Sequence, residues 1–293
     1  MKSMIKVTTI IENHSNPVLG VPGEHGLSMK VEYNGRPLLF DTGQTGIFLD
    51  NADRMNIDLN EIHDIILSHG HYDHTGGLPA YLKQNHGKRI YVGRDFFERK
   101  FRKNPDGTIV YNGNPFLSEE CREEEISNVP FLKESAAAVH VIEDKIYQLY
   151  EGIWLVRGFK RKNDFETPDD RFLIKKNSKF FPDRFQDEIV LCLDTAKGIV
   201  LLAGCSHAGI INITETVRER FAGRPIRGII GGTHLIHAEE ERLHRTIEEL
   251  KKLNPEFLAV SHCTGDDNIQ RLGKEFGERF IMNITGNRIE FSE

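Results

Sequence analysis

Four times in this chain a short apolar run ends in a histidine-bearing loop and gives way to helical spacing. Residues 65–67 lead into His69, His71, Asp73 and His74. Residues 199–202 lead into Gly204-Cys205-Ser206-His207, residues 227–230 into Gly231-Gly232-Thr233-His234, and residues 257–260 into Ser261-His262-Cys263. A strand feeding a helix through a tight turn is the building unit of α/β architecture. In such folds the loops at the carboxyl ends of neighbouring strands collect on one edge, where ligands bind. The pattern therefore predicts one shared edge for all four loops, with the adjacent glycines permitting the tight turns.

The first loop is the densest. Residues 69–74 put three imidazoles and a carboxylate within six positions. A His-x-His pair in extended or loop conformation can aim both rings at one cation, and the Asp73–His74 pair can aim at a second. Two metals about 3.5–4 Å apart are a recurring hydrolytic device. A single histidine after a strand is more often a capping or packing residue, but four donors at this spacing favour metal. A two-metal site needs further partners, which makes His207 and His262 the next ligand candidates. His234 is read as a substrate contact or proton donor. His25, in Glu24-His25-Gly26, is read as flanking the cleft, while His14, His63, His86, His140, His237 and His244 are assigned to surface or packing.

Elsewhere the pattern is regular. Residues 5–11 read as a strand, and residues 27–33 and 38–40 form a hairpin around Asn34-Gly35, a type I′ signal. Glu151-Gly152 and Ala196-Lys197-Gly198 mark two more hairpins. Helical spacing appears at Leu78, Tyr81 and Leu82, at Ile210, Thr214 and Val217, at Leu243, Ile247 and Leu250, and at Ile269, Leu272 and Phe276. The expectation is a single domain over 1–293 with an aromatic-rich insertion at about 96–185 bordering the site. Residues 160–187 show little periodicity.

Bulk properties narrow the function. The chain has 38 basic and 44 acidic residues, a formal charge of −6 and a pI near 6.1. That balance argues against a sequence-independent nucleic-acid binder, which shows a basic face or stripe, and leaves a small anionic substrate open. Cys121, Cys192, Cys205 and Cys263 form no CxxC pair, which reads as a reduced intracellular protein. No apolar run approaches the ~20 residues of a membrane span, and the first residues run into a strand pattern without a signal-peptide core. The expectation is a cytoplasmic protein without nucleic-acid or membrane partners.

Residues 68–77, Ser-His-Gly-His-Tyr-Asp-His-Thr-Gly-Gly, resemble the HxHxDH signature of the metallo-β-lactamase superfamily. Asp41 in Phe40-Asp41-Thr42-Gly43 and His262 resemble its preceding acidic and final histidine motifs. The resemblance implies a four-layer αββα sandwich with metals at one edge. Segments including Glu24-His25-Gly26-Leu27-Ser28, Gly204-Cys205-Ser206-His207 and His262-Cys263-Thr264-Gly265 resemble one subgroup. That subgroup is named for archaeal dihydropterin–ribofuranosylaminobenzene 5′-phosphate synthase of methanopterin biosynthesis. Many of its members are known only as metal-dependent hydrolases.

By this resemblance His69 and His71 bind one divalent ion and Asp73 and His74 a second, with His207 and His262 completing the set. Zinc is the first expectation, with Fe, Mn or Mg as alternatives. Asp41 orients ligands, and Asp73 and His234 are the catalytic candidates. The chain departs from the superfamily pattern at Gln186-Asp187-Glu188, which stands where a Gly-His-Thr-like motif is expected, and at Cys205, whose loop lacks the bridging Asp. Asp187 is thereby a possible substitute ligand, beside His207, and it and Cys205 join His25 and Asp41 as supporting or substrate-contact candidates. Lys160, Arg161 and Arg184 are possible cations for substrate, against a stronger expectation of solvated surface charge. The leading function is a metallohydrolase acting on a small phosphorylated or ester metabolite. The pterin-linked synthase is the alternative, and a non-catalytic metabolite-binding protein the third.

Overall fold

Strands that are apolar at nearly every position need cover on both faces. The computed structural model describes residues 4–115 and 129–292. Cys121, part of the aromatic-rich stretch and the first three residues, used above in reading the sequence, lie outside the described residues.

Numbered along the chain, one sheet contains β1 (Met4–Ile11), β2 (Ser28–Tyr33), β3 (Arg36–Phe40), β4 (Asp64–Ile66), β5 (Arg89–Gly93), β8 (Ala138–Ile142) and β18 (Arg288–Ser292). Its order is β18-β1-β2-β3-β4-β5-β8. The second contains β9 (Ile146–Tyr150), β10 (Ile153–Arg157), β13 (Ile189–Thr195), β14 (Gly198–Ala203), β15 (Ile226–Gly232), β16 (Phe257–Ser261) and β17 (Phe280–Met282). Its order is β17-β16-β15-β14-β13-β10-β9. A third, four-stranded sheet joins β6 (Lys100–Lys103), β7 (Ile109–Tyr111), β11 (Phe172–Lys176) and β12 (Lys179–Pro182) in the order β12-β11-β6-β7. The helices are α1 (Ile47–Arg54), α2 (Tyr72–Thr75), α3 (Leu78–Gln84), α4 (Pro130–Glu134), α5 (Ile210–Arg220), α6 (Glu240–Leu253) and α7 (Asp266–Phe276).

The period-two alternation of strands explains the layers. On β13, Leu191 and Leu193 face the other large sheet, while Val190 and Cys192 face the helices. On β14, Val200 and Leu202 point inward, and Ile199 and Leu201 pack outward with Ile213 and Val217 of α5 and Leu243 and Ile247 of α6. On β3, Leu38 and Phe40 enter the inter-sheet core, and Leu39 packs against Phe48 of α1 and Leu82 of α3. Three apolar layers thus separate four layers of structure, the αββα sandwich. Truncating an inner residue such as Leu202 to Ala is expected to cost about 2–5 kcal/mol.

The Asn34-Gly35 hairpin has both turn residues left-handed, with φ 50° and 69°, and pairs Tyr33 with Arg36. The described part of the aromatic stretch 96–185 is distributed over all three sheets. β8, β9 and β10 belong to the two large sheets, and only the strands β6, β7, β11 and β12 make a separate layer. The β11–β12 hairpin, turning through Asn177 (φ 48°) and Ser178 (φ 62°), lies inside the segment that shows little periodicity. All four residues of β12 are exposed, so no buried face imprints an alternation on its sequence.

Candidate metal centre

The four histidine loops meet at one edge. Three of them follow β14, β15 and β16, which run parallel and adjacent. The fourth follows β4 in the facing sheet and passes directly into α2, which carries Asp73 and His74 on its single turn. Gly76 and Gly77 then let the chain turn against the preceding loop. A Cβ at Gly76 would collide with the Gln44 carbonyl, and one at Gly77 with the Thr42 carbonyl.

The side chains converge in two neighbouring groups. His69, His71 and His207 form the first, with His69 Nε2 3.1 Å from His71 Nδ1 and 3.2 Å from His207 Nε2. Asp73, His74, Cys205 and His262 form the second. There His74 Nε2 lies 3.1 Å from Cys205 Sγ and 3.2 Å from His262 Nε2, and Asp73 Oδ2 lies 3.2 Å from His262 Nε2. Tetrahedral coordination with metal–nitrogen bonds of ~2.0–2.1 Å puts ligand nitrogens about 3.3 Å apart, so both donor sets fit a cation. Imidazole, carboxylate and thiolate together suit a borderline divalent ion.

Comparison with known proteins decides the family. Residues 21–123 match the model of the metallo-beta-lactamase superfamily. Over 98% of this chain and 97% of the relative, the sequence is 31% identical to 7,8-dihydropterin-6-methyl-4-(beta-D-ribofuranosyl)-aminobenzene-5′-phosphate synthase of Methanocaldococcus jannaschii. The chain belongs to the metallo-β-lactamase superfamily. A second protein of the same organism, MJ0448, is also 31% identical, over 86% of this chain and 88% of its own. The crystal structure of Tm1679, a metal-dependent hydrolase of the β-lactamase superfamily, aligns over 99% of this chain and 100% of its own. Its TM-score is 0.80 and its identity 26%.

In this member of the superfamily, buried carboxylates hold the loops by their amides. Asp41 accepts the Ser68 amide at 2.7 Å, the Ser68 hydroxyl at 2.7 Å and His74 Nδ1–H at 2.7 Å. Ser68 in turn bonds His69 Nδ1 at 2.9 Å. Asp187 accepts the Gly70 amide, and Glu188 accepts those of His207 and Ala208 at 2.6 and 2.8 Å. Glu166 accepts those of Ile211 and Asn212 at the start of α5, and Glu12 that of His262. With the outer nitrogens of His69, His74 and His262 engaged by Ser68, Asp41 and Asn13, their Nε2 atoms are left to face the site. Asp41, Ser206, His234 and His262 are all left-handed, with φ 59°, 64°, 51° and 56°. Four non-glycine residues in that region around one site mark a backbone held by its surroundings.

The electrostatics suit ligands in the neutral form. Burial, reinforced by neighbouring imidazoles, holds His69 and His207 well below the usual histidine range. Burial and Lys100 push His71 down to about 3. His74 is opposite: against burial, Asp73 and Asp41 raise it to about 9. Those carboxylates call for positive charge at Nε2, which a proton or a metal cation supplies. Burial of His234 is likewise overcome by Asp169 and Cys263, which raise it to about 9. Burial raises Glu188 to about 7 despite the two amides it accepts.

The structure brings His69, His71, Asp73, His74, His207 and His262 together, and adds Cys205 beside His74. His25 stands at the rim, half-exposed, with Nε2 3.3 Å from Asp73 Oδ2. His234 lines the same pocket and lies 3.9 Å from Asp169. Asp187 is not a substitute ligand: it sits apart from both donor groups, with its oxygens bonded to Gly70 and Lys100. The aromatic segment contributes Phe185, stacked on His207 at 3.9 Å, and Phe172, 5.1 Å from His71. His237, assigned to the surface from sequence, lines the pocket mouth, as do Arg102 and Arg171. Arg161 donates to the carbonyls of Glu166, His207 and Ala208, so it braces the loop. Lys160 lies beside Glu219. Among the described residues, no helix is long and apolar enough to cross a membrane.

Proposed function

We propose that this protein is a metal-dependent hydrolase acting on a small phosphorylated or ester metabolite. The observation that carries the reading is the pair of buried donor groups, three imidazoles beside Asp73, His74, Cys205 and His262, opening into one pocket. His69, His71 and His207 would hold one divalent ion, zinc by preference, and Asp73, His74, Cys205 and His262 the other. Such cations supply Lewis acidity and a nucleophile at neutral pH, the two demands of ester or phosphoester hydrolysis.

The chain's own residues do the rest. Asp41 fixes the tautomer of His74 and, through Ser68, the ring of His69. Phe172 and Phe185 pack against His71 and His207 and keep water from their far sides. The Asp73 oxygen that faces His262, Oδ2, also lies 3.3 Å from His25 Nε2, and His25 meets substrate at the rim. His234, with Nε2 3.9 Å from Asp169, would hold a proton beside the pocket for the leaving group.

The test is metal-dependent turnover. Purified protein is expected to hydrolyse bis-p-nitrophenyl phosphate or p-nitrophenyl esters, to lose this activity with chelator, and to regain it with zinc or manganese. Absence of chelator-sensitive turnover on all such substrates would overturn the hydrolase reading. A second reading, synthesis of a pterin–arylamine conjugate, is favoured by the full-length similarity to the Methanocaldococcus synthase. MJ0448 of the same organism is as identical over a somewhat shorter span, so turnover rather than similarity separates the two readings. Condensation of a dihydropterin with the arylamine ribosyl phosphate would carry that reading.

A further inference from the structure

The pocket at the two donor groups has a volume of only about 120 Å³, well under the roughly 300–1,000 Å³ of ordinary small-molecule sites. Beside it lies a larger cavity of about 590 Å³, between the 164–171 segment and the start of α6. Arg171 and His237 line both, so the two spaces share a wall.

The larger cavity is arginine-lined. Arg171 forms a forked ion pair with Asp169, at 2.9 and 2.6 Å. Arg245 lies 4.4 Å over the Phe165 ring and 2.6 Å from Asp164. These two carboxylates are thereby engaged, and the remaining acids of the lining, Glu239 and Glu241, are exposed. Arg242 differs. It is half-buried, and its Nε is buried without any hydrogen-bond partner among the described residues. Nε is sealed from the cavity, so an anion there would be met by the terminal nitrogens. No hydrogen bond or ion pair engages the Arg242 guanidinium among the described residues. The planar guanidinium fork matches phosphate oxygens.

We propose that this cavity is a second substrate subsite, in which Arg242, flanked by Arg171 and Arg245, binds a terminal phosphomonoester while the reacting bond lies at the donor groups. The proposal rests on the reading of the site as one that acts on a phosphorylated metabolite. It explains how a pocket too small for a whole metabolite can serve one, and it places the anion one wall away from the histidines.

The test is calorimetric binding of D-ribose 5-phosphate to the metal-loaded protein, with metal content and thermal unfolding measured alongside. Arg242→Gln is expected to weaken binding by about tenfold or more, the loss of a charge-assisted contact, with metal content unchanged. Arg242→Lys is expected to recover part of the loss. His71→Ala is expected to bind the sugar phosphate as the wild type does while losing metal. Should Arg242→Gln unfold, Arg245→Gln, which lines the same cavity and is already paired with Asp164, gives the same readout with a smaller loss. Wild-type affinity in both arginine variants would overturn the subsite. So would loss of binding in His71→Ala alone, which would put the phosphate on the metals, and so would no binding to the wild type at millimolar concentration. Wild-type turnover reports on the hydrolase reading separately, whichever way the binding falls.

Discussion

Lys100 Nζ lies 2.9 Å from Asp187 Oδ1, and the other oxygen of that carboxylate accepts the Gly70 amide at 2.8 Å, between His69 and His71. Asp183 holds the same ammonium at 2.7 Å, and all three side chains are buried. Against the effect of burial, Lys100 pulls Asp183 below its ordinary range, and burial raises Asp187. Removing one partner of such a group strands the others. Lys100→Met is expected to destabilise the protein by about 3–5 kcal/mol, measured by urea unfolding. A loss under about 1 kcal/mol would mean that water replaces the ammonium at little cost.

Asp41 orients two rings at once. Asp41→Asn keeps its shape and suits its left-handed backbone, which asparagine tolerates. It replaces one carboxylate oxygen by a donor facing Ser68 or His74. Metal affinity is expected to fall about 10–100-fold with little change in fold, as read by competition with a chromogenic chelator and by circular dichroism. Unchanged affinity would remove Asp41 from the support of the site.

The two donor groups make separable predictions. His71→Ala and His207→Ala truncate the three-imidazole group, and His262→Ala the mixed one. Each variant is expected to retain about one cation per chain, held by the undamaged set, and to lose most turnover. Elemental analysis after dialysis decides. Full metal content in His71→Ala would sink its assignment as a ligand, and full content in His207→Ala would make that residue a substrate contact.

What could be read in advance depended on sequence distance. His69, His71, Asp73 and His74 announce themselves because their spacing is local, and strands apolar on both faces call for cover on both sides. The glutamate clamps were silent. Glu12 reaches His262 across 250 positions, and Glu166 reaches Ile211 across 45, so nothing nearby marks either as special, whereas Asp41 and Asp187 stood out only through the family resemblance. Arg242 and Arg245 sit beside Leu243 and Ile247 on α6, off its buried stripe, and read as an ordinary solvated face. Only the packing of the 164–171 segment against them reveals a cavity. Cys205 was visible as a departure from the expected acid, but its place 3.1 Å from His74 came from the fold.

A final prediction concerns the edge where the two large sheets are tied. Asp64 on β4 receives Arg89 Nε and Nη2 at 2.6 and 2.9 Å and the Tyr150 hydroxyl of β9 at 2.7 Å. Burial opposes its charge, but these donors outweigh burial and hold its pKa below the ordinary 3.8. A depressed carboxylate pKa contributes stability that is present above the unfolded value and lost as pH falls through the folded one. Asp64→Asn is therefore expected to destabilise the protein at pH 7 by about 1–2 kcal/mol, a charge-assisted contribution discounted because Arg89 is 44% exposed. The gap between wild type and variant should narrow as pH drops below about 4. Urea unfolding of both proteins at pH 7 and pH 3 measures it. A gap that stays constant or widens in acid would show that Asp64 contributes through shape rather than charge.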